Sequence, residues 1–173
     1  MTSTTNAAAA PTHHAHTTAQ LIDRYEQGGR DFASLAQGIS PAQLDTRIAP
    51  GTWSVREVLV HLLDSDLAAT HRMRRIAAED LPLMIAYDET AFVARLRSSE
   101  MNLAHVQALF AANRAFTAAW LRTLTPEDFT RAGIHNQRGR VTLHEMLNMY
   151  INHLAHHTQF IEGKLASLNK LAR

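Results

Sequence analysis

The chain contains no cysteine. Disulfides, thiolate metal ligands and a protein thiol nucleophile are thereby excluded, and any thiol chemistry needs a thiol from solution. An excess of one charge is also missing: 17 lysines and arginines stand against 16 aspartates and glutamates, so no long-range field recruits nucleic acid or an anionic membrane. The basic cluster Arg72, Arg74 and Arg75 reads as a solvated helix face. No apolar run approaches the roughly 20 residues of a membrane span. The first 23 residues hold neither lysine nor arginine, which argues against a secretory signal peptide and makes the cytoplasm the expected location. What is present fits one compact domain, because 173 residues at 46% hydrophobic content can bury a sizeable core.

Residues 1 to 16 are biased toward threonine, alanine and histidine and carry no large apolar side chain. They cannot offset the entropy of ordering and are expected to form a disordered arm, whose His13, His14 and His16 bind metal only adventitiously. The domain spans 17 to 173, where helical signals dominate. Leu21, Ile22, Tyr25, Phe32 and Leu35 give a first helix its stripe, weakened by Gly28 and Gly29. Ser40-Pro41-Ala42-Gln43 announces a short helical turn, and Ser54-Val55-Arg56-Glu57 is a capping box that opens a second long helix to about residue 78. Leu83 to Tyr87 reads as a loop, followed by a short helix from about Glu89 to Arg97. Ser98 or Ser99 then caps a third long helix with Met101, Leu109, Phe116 and Trp120 on its apolar side. Thr125-Pro126 repeats the turn signal, His135 to Arg140 reads as a polar loop, and Thr142-Leu143-His144-Glu145 is a further capping box that launches the fourth long helix. This pseudo-repeat of two helix pairs describes an all-α four-helix bundle with extra helical turns in its connections.

The histidines carry the chemistry. His153 and His157 are four residues apart, so on a helix they share one face and can present two imidazole nitrogens to one divalent metal. Measured from the apolar seam of the fourth helix, His157 lies roughly 40° away, His153 roughly 80° and His156 roughly 140°. The pair His153 and His157 therefore faces inward, whereas a His153 and His156 pair would turn the site away from the core. His61, on the shoulder of the second helix's stripe, would complete three ligands. Three neutral imidazoles leave a metal's positive charge intact and a coordination position open for a bound water or thiol. The paired carboxylates and Glu-x-x-His units of di-iron bundles are missing, and Asn148 occupies the position where a zinc-protease motif starting at His144 would need histidine. His71 and His105 read as solvated, Trp53 as a hydrophobic anchor before its capping box. Asp66 falls near the middle of an apolar face, where it either orients a ligating histidine or pairs with an arginine such as Arg24 or Arg114. His135 is placed to approach a pocket at the bundle end, and a substrate pocket is expected between the bundle helices near the metal, lined by Met146, Tyr150 and Tyr87.

The run Pro50-Gly51-Thr52-Trp53-Ser54-Val55-Arg56-Glu57-Val58-Leu59-Val60-His61-Leu62-Leu63-Asp64-Ser65, followed by His153-Leu154-Ala155-His156-His157, resembles the DinB/YfiT superfamily of bacterial metal-binding bundles across residues 17 to 168. The resemblance implies an up-down-down-up four-helix bundle, a homodimer, and a nickel or zinc ion on His61, His153 and His157. Relatives include transferases and isomerases that use low-molecular-weight thiols, and metal-dependent hydrolases. The expected function is thus a metal-dependent enzyme that activates a solution thiol for transfer to a small electrophile. The alternatives are a hydrolase using metal-bound hydroxide and a non-catalytic, stress-associated metal-binding bundle. The expected partner is a small-molecule substrate, with neither nucleic acid nor membrane involved.

Overall fold

The computed structural model describes residues 16–171. Apart from His16, the arm expected at 1 to 16 lies outside them. Helices begin where their caps place them. Reciprocal capping boxes at Thr17, Ser40 and Ser54 open α1 (Thr18–Phe32), α2 (Pro41–Asp45) and α3 (Val55–Ala78). At the start of the last long helix, α6 (Leu143–Leu171), the Glu145 amide donates to Thr142 Oγ1 at 3.2 Å and the Thr142 amide to Glu145 Oε2 at 2.8 Å.

The third long helix departs from expectation. Arg97 takes a left-handed backbone (φ 56°) that ends the short α4 (Glu89–Arg95) and leads into a 3₁₀ turn at Ser98–Glu100, so Asn102 rather than a serine caps α5 (Leu103–Leu121). Its apolar side is also corrected. Met101, Leu109 and Phe116 are exposed, and the buried face carries Val106, Phe110, Arg114, Thr117 and Leu121. Alanine and large apolar residues occur on both sides of this helix, so a hydrophobic stripe can be drawn along either; the true one includes an arginine that hydropathy assigns to solvent.

α1 packs against α5 and α6, and α3 packs against the same two helices. α1 and α3 therefore face each other across one diagonal of the bundle, α5 and α6 across the other. Gly28 and Gly29, which weaken α1 in isolation, are buried where it meets its neighbours: a Cβ on Gly28 would stand 2.5 Å from Arg114 Nη1 and 2.7 Å from Leu154 Cδ2. Arg114 spans the bundle centre. It donates to Asp66 Oδ1 of α3 at 2.9 Å, to the Tyr25 carbonyl of α1 at 3.3 Å and to the Tyr150 carbonyl of α6 at 3.1 Å. Tyr25 Oη and Asn113 Nδ2 complete the Asp66 carboxylate at 3.1 and 2.8 Å. Burial pushes the Asp66 carboxyl up, and Arg114, Asn113 and Tyr25 pull it back. Apolar clusters lie on either side of this polar layer, one around Met73, Leu121 and Met146, the other around Leu59, Phe110 and Ile161.

A three-stranded sheet, not expected from the sequence, lies in and beside the segments expected as loops (83–87 and 135–140), in the order β1 (Leu83–Met84), β2 (Ala132–His135), β3 (Gly139–Thr142). β1 runs parallel to β2, pairing Leu83 with Ile134, and β2 and β3 form a hairpin pairing His135 with Gly139. Strands of two and four residues are too short to show a period-two pattern. Gly133 permits the contact with β1, because a Cβ there would lie 2.9 Å from both Met84 Cε and the Pro82 carbonyl oxygen. Among the described residues no helix is long and apolar enough to cross a membrane.

Candidate metal centre

α3 supplies His61, one and a half turns before Asp66, and α6 supplies His153 and His157, one turn apart. The adjacency of α3 and α6 brings the three together. One nitrogen from each ring lies within 4.8 Å of the others, and the ring centroids are 5.3 Å (His61 to His153), 5.0 Å (His61 to His157) and 4.6 Å (His153 to His157) apart. His61 is fully buried, the other two half-buried. Trp53 packs on the His61 ring at 4.9 Å between centroids, and Lys164 Nζ donates to the Trp53 carbonyl, which ties this anchor to α6.

All three imidazoles are held neutral. Burial foremost, and then the neighbouring His157, lowers His61 to about 4. Burial followed by His157 and His61 lowers His153 to about 3, and burial followed by His156 lowers His157 to about 4. Neutral imidazole is the metal-binding form. His61 Nε2 and His157 Nδ1 are buried with no hydrogen-bond partner among the described residues. Such an atom forfeits its hydration without compensation, and a divalent ion would restore a partner to the His61 nitrogen. The donor set thus fits a cation that accepts nitrogen ligands: His61, His153 and His157 would hold it, and Glu89 Oε2 lies 4.0 Å from His61 Nε2.

Beside the cluster opens a cavity of about 700 Å³. Tyr150, His135, His156 and Tyr87 line it together with His153. Met146 does not; it is fully buried in the apolar cluster with Leu147 and Met73, because it falls on the seam of α6 rather than on its shoulder. Asp66 orients no histidine, since Tyr25, Asn113 and Arg114 occupy its carboxylate. Its expected alternative partner Arg114 is the one found; Arg24 lies on the exposed side of α1. His71 and His105 are exposed, as expected.

Sequence reasoning missed Arg72 and Glu89. Arg72, assigned to a solvated face, donates to Tyr150 Oη at 2.8 Å and to the Ile85 carbonyl at 2.7 Å, and it lines the cavity. The signal was available: eleven residues, about three turns, separate it from His61 on one face of α3, with Ser65 between them. Glu89 gave none, because its proximity depends on how α4 folds back onto α3.

The model of the DinB superfamily matches residues 24–161. YfiT of Bacillus subtilis is 32% identical over 133 residues, 75% of each chain. Its solved structure, described as that of a probable metal-dependent hydrolase with an unusual four-helix bundle topology, superposes with a TM-score of 0.83 at 26% identity over 92% of this chain and 94% of that one. A Bacillus pumilus protein, provisionally named a metal-dependent hydrolase, is 29% identical over 141 residues, 81% of this chain and 80% of its own. The mycothiol-dependent maleylpyruvate isomerase shares the fold, with a TM-score of 0.67 at 16% identity over 86% of this chain and 62% of that one. The four-helix bundle, its crossed helix order and the extent of these matches agree: this chain belongs to the DinB superfamily.

Proposed function

We propose that the protein is a metal-dependent enzyme, with one divalent ion, nickel or zinc, held by His61, His153 and His157, and that it acts as a hydrolase on a small molecule admitted through the adjoining cavity. The observation that carries this reading is the convergence of three neutral imidazoles from two helices beside an open cavity, with the His61 nitrogen buried and unpartnered. A bound divalent ion would act there as a Lewis acid toward a water or a substrate oxygen. The chain's own groups do the rest. α3 and α6 fix the ligand spacing, Trp53 covers one side of His61, and Arg72 holds the Tyr150 hydroxyl at the cavity wall. The hydrolase names of the Bacillus relatives support this choice.

A second reading, thiol transfer to a small electrophile, draws on the size of the cavity. At about 700 Å³ it lies in the upper half of the range for small-molecule pockets, and with no cysteine in the chain the thiol would come from solution. Elemental analysis of tag-free protein, beside a His61→Ala/His157→Ala double variant, tests the shared premise. About one ion per chain in the wild type and almost none in the variant is the expected result; equal metal in both would place it elsewhere and refute the site. Ester, amide and lactone substrates assayed with and without a low-molecular-weight thiol then separate the two readings.

A further inference from the structure

One wall of the cavity is built from hydrogen-bond donors. His135, at the end of β2, is 5% exposed, and its Nδ1 accepts the backbone N–H of Gln137 at 3.2 Å. An imidazole that accepts at Nδ1 keeps its lone pair there, so its proton resides on Nε2. Burial foremost, then the guanidiniums of Arg72 and Arg138, lowers the pKa of this ring and keeps it from becoming a cation. The Nδ1 bond is the one hydrogen bond of this side chain among the described residues, which leaves the Nε2–H free for a ligand, and the ring lines the cavity. Arg138, in the turn of the same hairpin, lines it too; its backbone N–H donates to the His135 carbonyl at 3.2 Å, while its guanidinium has neither an ion pair nor a hydrogen bond among the described residues. Arg72 adds a fixed positive charge, its guanidinium anchored on Tyr150 and Ile85.

We propose that the His135 Nε2–H and the Arg138 guanidinium form an oxyanion subsite, so that the molecule processed at the three-histidine centre carries a carboxylate or a phosphate. The assignment of that molecule as substrate rests on the metal-enzyme reading above; the subsite itself does not. Both groups are donors without acceptor capacity in this state, which selects for an acceptor-rich ligand. Two carboxylates share the cavity and define its polarity. Asp88 is engaged in capping α4, accepting the Ala91 amide at 2.9 Å, and Glu89 stands by His61 at 4.0 Å. Without any ion the guanidiniums of Arg72 and Arg138 balance both carboxylates and draw on Glu89, so the selection for an anion rests on the local pair of donors, His135 and Arg138; a divalent ion on the three imidazoles would strengthen it. A neutral imidazole donor fixed in one tautomer suits an oxygen that gains negative charge during reaction, since it stabilises that charge with no proton rearrangement.

Two measurements on the full chain test this. Long-range proton–nitrogen NMR of the imidazoles at pH 7, in metal-free and zinc-loaded protein, reads the His135 tautomer; the Nε2–H form is expected, and an Nδ1–H form or an imidazolium would overturn the proposal. Titration with inorganic phosphate and, separately, propionate is followed by calorimetry in the wild type, His135→Phe and Arg138→Met. At least one anion should bind, and each substitution should weaken it by about tenfold; whichever anion binds identifies the ligand's charged group. Failure of both anions to bind overturns the subsite, as does binding unchanged in Arg138→Met, which remains folded because its side chain is on the surface. Metal content is measured on the same samples. A wild type without metal would refute the metal reading while the tautomer and the metal-free titrations still decide this one.

Discussion

Three neutral histidines, one fully buried and two half-buried, should make the metal-free protein acid-labile. The folded chain holds His61 and His157 at about 4 and His153 at about 3, mainly by burial and then by neighbouring imidazoles, whereas in the unfolded chain each titrates near 6.5. Because the folded values are depressed, the stability these groups leave intact above pH 6.5 is lost as the pH falls: the unfolded chain takes up protons that the folded chain refuses. At pH 5.5 each unfolded imidazole is about nine-tenths protonated and each folded one nearly neutral, which costs about 1.2 kcal/mol per histidine relative to pH 7, or about 4 kcal/mol for three. The figure depends on the unfolded-state value, since pH 5.5 lies above all three folded ones. Urea unfolding of metal-free wild type and of a His61→Leu/His153→Leu/His157→Leu variant, at pH 7 and pH 5.5, measures it. The wild type should lose about 4 kcal/mol more than the variant between the two pH values; a difference below about 1 kcal/mol would refute the claim that the cluster is held neutral. A divalent ion at about 100 times its Kd should add about 2.7 kcal/mol at pH 7, and less at pH 5.5, where protons compete for the same nitrogens.

Asp66→Ala leaves Arg114 charged and buried without its counterion, and calorimetry should show a loss of about 3–5 kcal/mol, a drop in Tm of roughly 10 °C for a domain of this size. Arg114→Met should cost less than Asp66→Ala and its deficit should narrow from pH 7 to pH 5, because burial pushes the Asp66 carboxyl up and lets it neutralise by protonation; equal deficits at both pH values would count against this asymmetry. Gly28→Ala should destabilise by about 1–3 kcal/mol in urea even though alanine is the better helix former by about 1 kcal/mol, since its Cβ meets Arg114 and Leu154; a more stable variant would contradict the close approach. Phe116→Ser should stay within about 0.5 kcal/mol of wild type, because that side chain is 59% exposed.

The all-α class, the helix starts and the inward histidines were legible in the sequence, because each is written in local spacing. A capping box needs only residues three apart, and the shared face of His153 and His157 needs only the pitch of one helix. The sheet was not legible: its strands are short, and β1 pairs with β2 across some fifty residues of chain. Nor was the buried face of α5, where apolar residues occupy both sides and Arg114 belongs inside. Periodicity ranks residues by hydropathy, and no hydropathy scale places a guanidinium at a bundle centre. Arg114 is buried because carbonyls of α1 and α6 and a carboxylate of α3 converge there, and that convergence exists only once the four helices are packed. The same reasoning divides the candidate site. Residue type and helical pitch determined which histidines turn inward and that they suit a divalent metal. Tertiary packing alone decided that His61 meets them, that Met146 is core, and that Arg72, Glu89 and His135 share one cavity, because a distance between elements is set by how their faces fit and not by their spacing along the chain.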